Sequence, residues 1–152
     1  MWTLSENGYE FIKNVEGYKN KAYRVNSEKY YTCCIGHHGP DVQNRTYTDK
    51  ECNDLFEKDK VTFEKAANQF PNIKNQSQFD ALFSLCYNCG PAIATSGKAI
   101  YNAMRDNLHI EDASAFRTKW LSYRNANGLL RSRRSKELDL FYSNAIELQN
   151  EQ

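Results

Sequence analysis

Glycine and proline are scarce, at 7 and 3 of 152 residues, and no stretch repeats or narrows to a few residue types. That excludes collagen-like and low-complexity chains. An excess of one charge is missing too, since 20 basic side chains face 19 acidic ones for a net charge of +1. A dedicated nucleic-acid binder reaches phosphates through a basic field, so no nucleic-acid partner is expected. No apolar run approaches the ~20 residues that span a bilayer, and no integral membrane segment is expected. The first turns of the chain carry Glu6, Glu10 and Glu16 and lack a basic stretch followed by an apolar one, so they do not read as a signal peptide. Five cysteines form an odd set, which argues against a disulfide framework; reduced thiols are the expectation.

What is present suffices for a core. With 40% hydrophobic, 13% aromatic and 26% charged residues, the composition suits one domain or two small lobes sharing a core. Ser5 precedes Tyr9, Phe11, Ile12 and Val15, apolar positions three or four apart, which predicts a short amphipathic helix capped by Ser5 and closed at Glu16-Gly17. From Tyr18 to Thr48, strand-forming Tyr23, Val25, Tyr30, Tyr31, Thr32, Cys33 and Ile35 alternate with turn residues, predicting a small irregular antiparallel sheet. Thr48-Asp49-Lys50-Glu51 is a capping box, and the periodicity of Cys52, Leu55, Phe56, Phe63, Ala66, Ala67 and Phe70 predicts a long, largely exposed helix ending before Pro71. Phe79, Leu82, Phe83 and Cys86 mark a core helix over Gln76 to Cys89. Further helices are expected at about Ser96 to Asn107, Asp112 to Tyr123 and Arg134 to Leu148. The fold class is α+β with the sheet near the N-terminus.

The stretch from Glu16 to His37 combines a carboxylate at a helix end, a tyrosine-rich hairpin and the Thr32 hydroxyl, which is compatible with carbohydrate chemistry. The runs Val15-Glu16-Gly17, Lys21-Ala22-Tyr23, Tyr30-Tyr31-Thr32, Ile35-Gly36-His37, Gln78-Phe79-Asp80-Ala81-Leu82, Tyr87-Asn88-Cys89-Gly90 and Gly128-Leu129-Leu130 resemble the phage lysozyme family, the muramidase endolysins of T-even and lambdoid tailed phages. The resemblance keeps the family's order and extends from Ser5 to Phe141. It implies a lysozyme-like two-lobed fold: a sheet lobe at about 15–50, a connecting helix at about 49–70, and a helical lobe from 1–14 and 71–152. It also implies hydrolysis of the β-1,4 bond between N-acetylmuramic acid and N-acetylglucosamine in peptidoglycan.

The family pattern is a Glu, then an Asp or sometimes Cys after about eight intervening residues, then a Thr after five more. Glu16 fills the first position, as general acid, and Thr32 the third, where its hydroxyl helps hold the attacking water. Counting forward from Glu16 reaches Val25 and counting back from Thr32 reaches Asn26, so neither register supplies a carboxylate or thiol at the second position. Asn26 matches better in shape, yet an amide is no base and carries no charge to offset an oxocarbenium-like transition state. Four explanations stay open: Asn26 replaces an Asp in an engineered inactive variant, Glu28 supplies the carboxylate, a loop shift recruits another group, or hydrolysis is lost and glycan binding kept. The resemblance further implies that Arg133 pairs with Glu16 and that His37 is a hairpin and lobe-packing residue. Tyr30 and Tyr31 are placed near the glycan by the hairpin.

Other signals read more plainly. His37 and His38 have no partners at zinc-like spacing, so no metal and no cofactor is expected. Cys33-Cys34 and the C-x-x-C of Cys86 and Cys89 read as packing residues rather than as nucleophiles or a redox pair. Around Arg133, the basic side chains of Arg131 to Arg134 are expected to be solvated, with Glu137 and Asp139 following at once. The leading expectation is a monomeric glycoside hydrolase acting on peptidoglycan glycan strands, made in a host bacterial cytoplasm and carried to the periplasmic or extracellular wall by a holin or secretion machinery. The competing expectation is a glycan-binding or protein-interaction module on the same fold.

Overall fold

The computed structural model describes residues Met1–Asn144. The fold is α+β and divides into two compact units, one over residues 9–62 and one over residues 1–8 together with the chain from 63 on.

Helix α1 (Glu6–Glu16) begins where Ser5 Oγ accepts the Gly8 amide at 3.0 Å, as the cap signal predicts. It closes at Gly17, whose φ of +79° suits glycine and whose amide reaches the Lys13 carbonyl at 2.8 Å. Strands β1 (Lys19–Tyr23), β2 (Thr32–Cys34) and β3 (His37–His38) pair antiparallel in that order, with Tyr23 opposite Thr32, and Thr32 opposite His38. Val25, Tyr30, Tyr31 and Ile35 lie in the connections instead of in strands. A turn in which the Glu28 amide donates to the Val25 carbonyl at 2.8 Å bends the chain there.

A disulfide joins Cys34 to Cys52 and corrects the expectation of reduced thiols. It fastens β2 to the start of helix α2 (Asp49–Ala67) across 18 residues of sequence. Cys33, Cys86 and Cys89 remain free thiols. Around the disulfide, Ala22, Cys33, Val42 and Tyr47 form the small unit's core, with Tyr18, Tyr31 and Leu55 against it. The capping box of α2 is reciprocal: the Glu51 amide donates to Thr48 Oγ1 at 3.1 Å, and the Thr48 amide to Glu51 Oε1 at 3.0 Å. Only Cys52, Phe56, Ala66 and Ala67 are buried along α2, so the helix is exposed over most of its surface as expected, and Phe70 lies in the turn beyond it.

In the larger unit, helix α3 (Gln76–Cys89) has the predicted bounds, and Asn75 caps it by accepting the Gln78 amide at 2.9 Å. Buried residues run without a break from Ser77 to Cys86, the pattern of a helix surrounded on all sides. Around it stand α4 (Ala99–Arg105), α5 (Leu108–Glu111), α6 (Ala113–Ser122) and α7 (Arg131–Phe141). The predicted helix over Ser96 to Asn107 is shorter than expected, because Asn107 turns left-handed at φ +52° and a separate turn of helix, α5, follows. Helix α7 starts ahead of the expected Arg134, because Asn125 Oδ1 takes the Leu130 amide at 2.8 Å and fixes the entry. Its expected end at Leu148 lies outside the described residues.

The expectation that Arg134 is solvated is overturned, and its neighbour Glu137 is buried with it, both without exposed surface. Glu137 accepts from Arg133 Nε at 3.1 Å, Arg134 Nη1 at 2.9 Å, Ser84 Oγ at 2.6 Å and Trp120 Nε1 at 3.2 Å. These bonds compensate the cost of taking three charges out of water. Arg134 also donates to Asn88 Oδ1 at 2.6 Å and lies 3.1 Å from Cys89 Sγ. Burial pushes the thiols of Cys86 and Cys89 up, which suits packing residues better than redox ones.

Candidate active site

Glu16 is the last residue of α1, and the chain then reverses at Gly17 into β1. Its side chain is half-buried. The β2–β3 turn passes directly over it: a β-carbon built on Gly36 would stand 3.0 Å from Glu16 Cδ. Gly36 itself has φ +65°, a left-handed conformation that favours glycine. Backbone conformation and space therefore both disfavour a side chain at this position, since one would push the Glu16 carboxylate aside.

Thr32 opens β2, and His38 sits opposite it on β3. Directly opposed residues project to one face of a hairpin, and here Thr32 Oγ1 and His38 Nδ1 are 2.8 Å apart. Glu28 Oε2 approaches the same nitrogen at 3.4 Å. The Tyr30 ring meets the His38 ring edge-on, with centroids 6.1 Å apart. Three side chains, those of Glu28, Tyr30 and Thr32, thus meet around one imidazole.

Asn26 lies exposed in the Val25–Glu28 turn that leads into this group. Tyr23, paired with Thr32 across β1 and β2, has its phenol pushed up by burial first, then by the negative charges of Glu16 and Glu28. One phenol thus lies in the field of both carboxylates. Tyr31 packs on the small unit's core, and the Arg24 guanidinium lies over its ring at 5.3 Å.

His37 points the other way. Its Nδ1 meets Asp59 Oδ2 at 2.6 Å and its Nε2 meets Asp41 Oδ2 at 2.8 Å. The Asp59 hydrogen bond, opposed by burial and helped by Asp41, raises its pKa to about 9. His37 is therefore an imidazolium at neutral pH, tying β3 to α2. Arg133 lies in the larger unit, where it donates to Glu137 and, through Nη2, to the Ser84 carbonyl at 3.1 Å. Among the described residues, no group of three or more His, Cys, Asp or Glu side chains could hold a metal ion.

Two contributors carry no role in the sequence reading. Gly36 occurs there only as part of a motif, and His38 only as a metal candidate. Their signal was available in principle, because a tight turn centred on Ile35 places residue 38 across from residue 32.

The family profile described as phage lysozyme matches residues 13–137. The chain is 34% identical over 143 residues to the endolysin of Bacillus phage B103, covering 91% of this chain and 53% of that protein. It is 30% identical over 149 residues to the endolysin of Salmonella phage P22, covering 94% of this chain and 100% of the other. Several of the similar endolysins are longer: the chain spans 35% of the one from Bacillus phage PZA and 59% of the one from Lactococcus phage c2. Among solved structures, a mutant of P22 lysozyme superimposes with a TM-score of 0.68 at 26% identity, covering 93% of this chain and 99% of that one.

Proposed function

The chain belongs to the phage lysozyme family, and from that premise we propose that it is a muramidase, cleaving the β-1,4 bond between N-acetylmuramic acid and N-acetylglucosamine in peptidoglycan. The observation that carries this reading is the carboxylate of Glu16, presented at a helix end beneath a turn that keeps side chains away from it. Glu16 donates a proton to the glycosidic oxygen as the bond to the anomeric carbon breaks. Thr32 holds the water that attacks that carbon. Asn26 occupies the family's second position and serves there as a polar neighbour without basicity. Tyr30 lines the glycan's path, His37 holds the hairpin on α2, and the substrate is the glycan strand of a bacterial wall. The protein is made in the host cytoplasm, and a holin or secretion machinery gives it access to that wall.

Release of reducing ends from purified peptidoglycan tests the reading. Wild-type protein is expected to release them, and Glu16→Gln to lower the rate at least ~10²-fold without loss of fold. Folded wild-type protein that binds glycan fragments yet releases nothing would overturn the enzyme reading in favour of a binding module.

A further inference from the structure

Water attack on the anomeric carbon leaves a proton to be taken up, and the position where the family carries an Asp or Cys holds Asn26, whose amide cannot accept it. Resting on the muramidase reading, we propose that His38, backed by Glu28, is the proton acceptor for the Thr32-held water and fills the role that a carboxylate at position 26 would fill.

Geometry carries the assignment. Thr32 Oγ1 and His38 Nδ1 are in hydrogen-bond contact at 2.8 Å, on directly opposed residues of β2 and β3. Glu28 Oε2, at 3.4 Å from the same nitrogen, is placed to compensate an imidazolium once it forms. The charged and titratable groups facing this ring are Glu28, in the turn leading to β2, and Tyr30, edge-on at 6.1 Å. The neighbouring His37 cannot substitute, since both its nitrogens are taken by Asp59 and Asp41 on the opposite side of the hairpin. At 39% exposure the His38 side chain can hand its proton back to solvent.

The step balances within the protein, substrate and water. As the water oxygen bonds to the anomeric carbon, one of its protons passes to Thr32 Oγ1 and the hydroxyl proton of Thr32 passes to His38 Nδ1. The bond from the anomeric carbon to the glycosidic oxygen breaks, and that oxygen takes the proton of Glu16. The cycle leaves an imidazolium at His38 beside the Glu28 carboxylate, and an ionised Glu16. Loss of one proton from His38 to solvent and uptake of one by Glu16 restore the starting state.

Turnover of purified peptidoglycan by wild type, His38→Ala, Glu28→Gln and the pair His38→Ala with Asn26→Asp tests this. His38→Ala is expected to lower kcat by ~10²- to 10⁴-fold with KM little changed. Added imidazole should restore part of the lost rate in proportion to its concentration, and Asn26→Asp should restore it without imidazole. Glu28→Gln, which leaves the ring in place, should give a smaller loss in kcat and covers the case in which His38→Ala does not fold. The proposal is overturned if folded His38→Ala turns over like wild type, or if its lost rate responds to neither imidazole nor Asn26→Asp. Failure of the muramidase reading looks different: wild type itself then releases no reducing ends.

Discussion

Gly36 lies so near Glu16 that a β-carbon on the glycine would stand 3.0 Å from the glutamate's carboxyl carbon. Gly17, the other glycine flanking this site, also has a positive φ of +79°, but a β-carbon there would meet nothing within 4 Å. The two glycines separate backbone strain from crowding. Both Gly17→Ala and Gly36→Ala should cost ~1–2 kcal/mol of stability, the penalty of a left-handed alanine. Only Gly36→Ala should also displace Glu16 and lower peptidoglycan turnover by ~10-fold or more. Thermal unfolding and turnover of the two variants check this, and equal turnover in both would remove the crowding argument.

The Cys34–Cys52 disulfide closes a loop of 18 residues. A cross-link of that span contributes ~3 kcal/mol by restricting the unfolded chain. Chemical denaturation with and without reductant should show that loss, and Cys52→Ser should be insensitive to reductant. Because Cys34 immediately precedes the Ile35-Gly36 turn, reduction should also lower turnover at temperatures where the protein stays folded.

His37 gives a signed pH dependence. Its pKa is raised from 6.5 to about 9, mainly by the hydrogen bond with Asp59. Stability from this pair is therefore complete below pH 6.5 and is lost as pH rises through about 9. Replacing His37 by Gln should cost ~1–3 kcal/mol at pH 6. The difference between wild type and variant in denaturation experiments should shrink steadily toward pH 10.

His109 works in the opposite direction. It is 5% exposed, sits against Phe116 and Phe141, and neither ring nitrogen finds a hydrogen-bond partner among the described residues. Burial first, and the charge of Lys74 second, push its pKa down. The unfolded chain then binds a proton that the folded chain refuses, so this residue removes stability as pH falls below ~6.5. The slope cannot exceed ~1.4 kcal/mol per pH unit for one proton. Titrating stability from pH 7 to 5 in wild type and His109→Leu checks it, and parallel curves would contradict the assignment.

Local signals were legible in the sequence because their partners lie a few residues apart. Ser5 caps Gly8, and Thr48 and Glu51 cap each other. The heptad-like spacing of Phe79, Leu82, Phe83 and Cys86 located α3 for the same reason. The Cys34–Cys52 bond was not legible, because an odd count of cysteines leaves many pairings open and only the turn after β2 brings these two together. Nor was the burial of Arg134 and Glu137, whose partners Ser84, Asn88 and Trp120 come from other helices. A charge run reads as solvated unless those partners are known. The Thr32–His38 contact falls between these cases, since it follows from hairpin register once the turn is fixed, and strands this short leave register weakly marked by hydrophobic alternation.

The buried Glu137 has a consequence for how the helices of the larger unit align. Phenylalanine and leucine contacts are non-directional, so α3, α6 and α7 could exchange one set of apolar neighbours for another by sliding ~5.4 Å, one helical turn. Glu137 on α7 accepts from Ser84 on α3 and from Trp120 on α6. Any such slide takes the Ser84 and Trp120 donors away from that buried carboxylate, leaving it with only the arginines of its own helix. The glutamate thus acts as an alignment key, permitting one register of three helices where the surrounding hydrocarbon would accept several.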